Sequence, residues 1–181
     1  MKTQANQDAL QILNKVPEVT IYFWIIKIMA TTVGETAADF LSFNFHLGLT
    51  ITSILMSVLL LIALLIQVHT KKYVPWIYWI AVVLISVVGT LITDNLVDNF
   101  GVRLETTTVV FSLALLATFI TWYISEKTLS IHSIFTRKRE LFYWAAILFT
   151  FTLGTAEGDL AAEGGKLGMA IPPRFFAGSI R

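Results

Sequence analysis

One pattern occurs three times in this chain. Trp24, Gly34 and Asp39 are spaced as W-x9-G-x4-D, and the spacing returns at Trp79, Gly89 and Asp94 and again at Trp144, Gly154 and Asp159. An aromatic residue precedes each tryptophan: Phe23, Tyr78 and Tyr143. The copies lie 55 and 65 residues apart (24 to 79, 79 to 144), room for one hydrophobic hairpin each. A unit repeated at fixed register points to one supersecondary element used several times, its copies stacked on one another.

The runs between the motifs say what the unit is made of. Residues 47–68, 75–93 and 106–125 hold 22, 19 and 20 consecutive residues without a charge. A helix needs about 20 residues at about 1.5 Å each to cross about 30 Å of hydrocarbon. Only 14% of the chain is charged, against about 25% in soluble domains. The runs also lack the polar face of a helix packed in water. The expected fold is all-α, a polytopic transmembrane helical bundle of tandem two-helix repeats. About five spans are expected, near residues 19–41, 47–68, 75–94, 106–125 and 141–156. The chain then divides into an N-terminal tail (1–18), repeat 1 (19–72), repeat 2 (73–138), a partial repeat 3 (139–168) and an irregular tail (169–181). A signal peptide is excluded, because Lys27 interrupts its would-be apolar region and the candidate cleavage site falls inside the first motif. Pro172, Pro173 and Arg174 do not allow a sixth span. Repeat 3 thus has a motif helix without a return helix. That predicts a chain cut from a longer repeat protein, poor packing of residues 167–181 and no close neighbour for Gly154.

Lysine and arginine set the expected orientation. Eight of them (Lys2, Lys15, Lys71, Lys72, Lys127, Arg137, Lys138, Arg139) fall in the tail, the second loop and the fourth. The first loop has none and the third has Arg103. The positive-inside rule places the N-terminus in the cytoplasm and the three motif aspartates towards the outer side.

The tandem motif resembles a family of bacterial integral membrane proteins built from two-span repeats of unknown function with a characteristic tryptophan, in four copies as a rule. Trp24, Trp79 and Trp144 match the tryptophan; Thr31-Thr32-Val33-Gly34-Glu35 and the stretch from Leu153 to Asp159 match the glycine-acid end. The similarity covers roughly residues 15–168, and the last dozen residues look unrelated. The resemblance implies a multi-pass protein of the bacterial cytoplasmic (inner) membrane and brings no activity with it.

The repeat ends carry the candidate chemistry. Glu35 and Asp39 form a ladder spaced by four, as do Thr90, Asp94 and Asp98, and Thr155, Asp159 and Glu163. On a continuing helix each ladder shares a face. Three such ladders brought together supply hard oxygen ligands for a divalent cation, or groups able to relay protons, because acids at membrane depth are costly and usually functional. The competing reading is that Gly34, Gly89 and Gly154 allow close helix packing and the aspartates cap the helix ends. Lys27 has Val82 and Ile147 at its equivalents. A lysine inside a span costs about 2.5–3.5 kcal/mol, to be offset by an acid partner or by snorkelling. The tryptophans read as interfacial anchors.

His46, His69 and His132 form no pair at ligand spacing, and cysteine is absent. No nucleophile elbow, phosphate loop or zinc-protease motif occurs. The expectations are therefore no enzyme activity, no cofactor and no nucleic-acid partner. A lipid bilayer is the expected surrounding, a divalent cation or protons the expected partner at the acids, and an oligomer is compatible with the pattern. Two function classes stand. One is a small-cation or proton-coupled transporter using the repeat-end acids; the other is a structural or partner-binding membrane protein. Burial of Asp39, Asp94 and Asp159 facing one another would favour the first.

Overall fold

The computed structural model describes residues 14–44, 47–131 and 134–164, all of them helix or short connection. The expectations for His46, His132 and residues 167–181 lie outside these. Five long helices follow in order: α1 (Ile21–Asp39), α2 (Gly48–His69), α3 (Pro75–Asp94), α4 (Leu104–Glu126) and α5 (Arg137–Gly164). Their starts follow local chemistry. The Thr20 hydroxyl accepts the amide of Phe23 at the head of α1, the bond that a good N-cap supplies. Pro75 opens α3 at its first position, where its missing N–H costs nothing.

Each of the first two motif helices changes winding immediately after its aspartate. Residues Phe40–Asn44 and Asn95–Asn99 form π-helical turns at the same register. The third motif helix stays α-helical through Gly164. It runs from Arg137, well beyond both ends of the expected span 141–156, because Arg137 to Glu140 form its first turn and the acidic end continues it.

The three motif helices run side by side in one direction, with α3 between α1 and α5. The same contacts recur at the same register. Phe23 lies 5.6 Å from Trp79, and Tyr78 lies 5.4 Å from Trp144, ring centre to ring centre. A Cβ added at Gly34 would meet Ser86 and Val87, and one added at Gly89 would meet Phe151 and Thr152. Ser86 and Phe151 occupy equivalent positions, three before the motif glycine. The glycines thus let successive motif helices approach closely, as small residues do between membrane helices.

The return helices pack otherwise than the sequence suggests. Adjacency in the chain pairs α1 with α2 and α3 with α4. Instead α2 covers α3 and α4 covers α5. The small-residue face of each motif helix is committed to the next motif helix, so each return helix seals the following repeat. The helices of one repeat meet mainly where the π turn folds over the start of the return helix.

Three helices, α2, α3 with its π turn, and α4, are long and apolar enough to cross a membrane. Of their most apolar stretches, 67% is buried in α3 but only 22% in α2 and 11% in α4. Leu61 and Leu65 are 60% and 61% exposed, typical of a surface that would aggregate in water and is at home in lipid. α1 and α5 carry Lys27, Glu35, Glu157 and Asp159 and do not reach that apolarity, although both are long enough.

Candidate functional site

Towards its aspartate end, α3 buries a polar seam in an otherwise apolar helix. Ser86, Thr90, Thr93 and Asp94 are each 3% exposed or less. The Ser86 hydroxyl donates to the Thr31 carbonyl of α1 at 3.3 Å. Towards α5, the hydroxyls of Thr90 and Thr155 share a hydrogen bond of 3.2 Å, and Thr93 donates to the Thr152 carbonyl at 3.0 Å. Thr90 and Thr155 are equivalent residues of neighbouring repeats, so the repeat register itself builds this contact.

Asp94 ends the seam with 2% of its surface exposed. Beyond it, the π turn directs Asn95 to the Ser53 hydroxyl of α2 at 2.6 Å and Asn99 to Asn95 at 2.7 Å. π turns concentrate at functional sites because they re-aim side chains within a helix. At the same end the hydroxyls of Thr52 on α2 and Ser42 in the first π turn are buried without a hydrogen-bond partner. Between α2 and α3 lies a cleft of about 330 Å³ lined by Thr50, Ser53, Ser57 and Asn95 among apolar side chains.

The three ladders differ in burial. Asp94 is buried, Asp39 and Asp159 are half-buried, and Glu35, Asp98 and Glu163 are exposed. Asp98 lies in the π turn that follows Asp94. Among the described residues no group of three acidic or histidine side chains could hold a metal ion. Of the three motif aspartates, that of the middle repeat is the most deeply buried. Nor do the aspartates sit in loops. Asp39 and Asp94 close α1 and α3, and Asp159 lies within α5.

Lys27 takes a third course. None of the ion pairs among the described residues includes it. Its ammonium lies 5.5 Å from the ring centre of Trp24 and 5.8 Å from that of Phe151 on α5, within cation–π range. The tryptophans divide as well. Trp24 is 52% exposed, as an anchor would be, whereas Trp144 is 4% exposed and belongs to the core.

The opposite end holds a cluster that sequence reading missed. Lys15 Nζ lies 2.6 Å from Glu140, with side-chain exposures of 6% and 1%. Lys15 also donates to the Val68 carbonyl at 3.0 Å, and Gln67 donates to Glu140 at 3.4 Å. One buried pair thereby ties the segment before α1 to the end of α2 and the start of α5. Nearby, Tyr78 and Tyr143 share a hydroxyl hydrogen bond of 2.5 Å. The one signal was Glu140, a lone acid closing the basic run Arg137-Lys138-Arg139 four residues before Trp144.

These features define a class, a helical bundle of tandem repeats whose motif helices stack in one register. The chain belongs to the family described as Repeat of Unknown Function (DUF347), whose profile matches it three times, over residues 22–73, 77–128 and 142–180. The third match runs past Gly168, so residues 169–180 belong to the repeat. They are not the unrelated tail that the sequence suggested. No curated protein and no solved structure matches the chain.

Proposed function

We propose that this chain is a five-span protein of the bacterial cytoplasmic membrane, N-terminus inside and without catalytic activity, that binds and moves a small cation or protons through the seam ending at Asp94. The observation that carries this reading is the burial of Asp94 at 2% exposure behind a line of hydroxyls. Acids at membrane depth are costly and mark ion or proton pathways. An acid kept only to end a helix would stay in contact with solvent, as Asp98 does. Ser86, Thr90 and Thr93 supply oxygens at helical spacing towards it, a path suited to protons or a weakly held cation. The parallel stack supports the five-span reading, because α1 and α5 lie along α3.

The test is flux into liposomes containing the purified protein, under an imposed proton or alkali-cation gradient. Wild type should conduct, Asp94→Asn should lose about a hundredfold or more, the scale of a deleted proton-transfer group, and Asp98→Asn should retain the rate. Equal flux for wild type and Asp94→Asn, or none for any ion offered, would leave the seam as helix-packing glue. The glycine contacts of Gly34 and Gly89 favour that second reading.

Orientation is checked separately. Asn44 and Lys72 are exposed, and cysteines there should react with an impermeant reagent from outside and inside the cell respectively. Labelling of both from one side would reject the topology.

A further inference from the structure

The cleft between α2 and α3 has a polar wall that packing does not require. Its floor is Val88 and Leu91, both buried, and its rim is Thr50, Ile54 and Phe100, all exposed. At about 330 Å³ it falls at the small end of ligand pockets, about 300–1,000 Å³, which are mostly apolar with a few placed polar groups. Among the described residues none with a charge lines it. Asn95 stands directly after the motif aspartate, where repeats 1 and 3 have Phe40 and Leu160. Its amide is occupied by the wall itself. It donates to the Ser53 hydroxyl at 2.6 Å and to the Leu91 carbonyl at 2.8 Å, and Ser53 donates to the Leu49 carbonyl at 2.7 Å. Ser57, one turn further along α2, is half-buried and also lines the cleft. Thr118 and Thr121 on α4 return their hydroxyls to the carbonyl four residues back. Among the described residues the Ser57 hydroxyl has no hydrogen-bond partner.

We propose that this cleft binds a small uncharged amphiphile dissolved in the bilayer, with a hydrocarbon body and a single hydroxyl or carbonyl group. The body lies on Val88, Leu91 and Ile92. The polar group meets the Ser57 hydroxyl, which donates to a carbonyl and exchanges either role with an alcohol. An ion or a charged headgroup finds no counter-charge here, and a bare acyl chain would leave Ser57 unsatisfied in an apolar wall. Entry is sideways from the membrane. α2 is only 22% buried along its most apolar stretch, and Ile54 at the rim is 61% exposed. The site does not use Asp94, so it stands or falls independently of cation or proton flux.

The probe is octanol carrying a photoreactive diazirine, added to liposomes that contain the purified protein. Irradiation should label Ile54, Val88, Leu91 or Ile92 saturably, with the adducts located by peptide mass spectrometry. Excess octanol should displace the probe, whereas octane, of the same length without a polar group, should not. Ser57→Ala should weaken labelling about fivefold, the scale of one neutral hydrogen bond. Ser57→Leu, which fills the cleft, should abolish it while helicity stays intact. The proposal is overturned by adducts spread alike over the exposed faces of α2 and α4, or by Ser57→Ala labelling as wild type does. It is equally overturned if octane displaces the probe as readily as octanol, the behaviour of a groove filled by lipid chains.

Discussion

A single methyl group at Gly34 or Gly89 is expected to cost about 1–3 kcal/mol, the usual range for overpacking a close contact. At Gly154 the same change should be neutral or gain up to about 1 kcal/mol, since alanine is the better helix former. At Gly34 the added Cβ would fall 2.1 Å from the Ser86 hydroxyl and 2.5 Å from its Cβ. The helices would have to part, disturbing the Ser86 bond to the Thr31 carbonyl. At Gly89 it would fall 3.0 Å from Phe151 Cβ and 3.1 Å from the Thr152 backbone nitrogen. Neither neighbour can swing aside, so α5 must shift. Thermal unfolding of the three alanine variants in one detergent separates the cases. Losses at the first two and none at the third are expected. Equal effects at all three would mean that the glycines do not pack in a shared register.

The other large effect is expected at the Lys15–Glu140 pair. Glu140→Ala or Lys15→Ala should each destabilise by about 3–5 kcal/mol, because either leaves the remaining charge buried without its partner. The combined change of Lys15 to Met and Glu140 to Leu should recover much of that loss, since an apolar pair of similar volume incurs no desolvation penalty. Exchanging Arg103 or Glu105, whose pair is exposed, should be silent. Unfolding of both single variants and the double one gives the coupling directly. Small and additive losses would mean that the segment before α1 is not anchored at this site.

The architecture was legible where it depends on period. W-x9-G-x4-D at three fixed registers implied parallel motif helices, and the charge-free runs implied return helices between them. The glycine contacts followed from the same register. The pairing of return helices was not legible, because adjacency favours the hairpin and the preference of α2 for α3 depends on which face α1 has already used. The π turns were hidden as well, because the one extra residue per turn has no compositional mark. Chain position in the stack also escaped the pattern. Identical motif residues meet different surroundings, so Trp24 is open where Trp144 is core, and Asp94 is buried where Asp39 and Asp159 are not. Lys15 and Glu140 lie 125 residues apart, and nothing local to either names the other.

The stacking of motif helices in one register is tested most directly by the Thr90–Thr155 contact. The two hydroxyls lie 3.2 Å apart, so cysteines at both positions bring their sulfurs close together. After oxidation in membranes and cleavage in the basic connection between α4 and α5, the two fragments should stay joined and separate on reduction. Fragments that separate without reductant, together with a Thr90→Cys that instead links to a cysteine at Thr107 on the return helix of its own repeat, would contradict the stack and restore the simple hairpin.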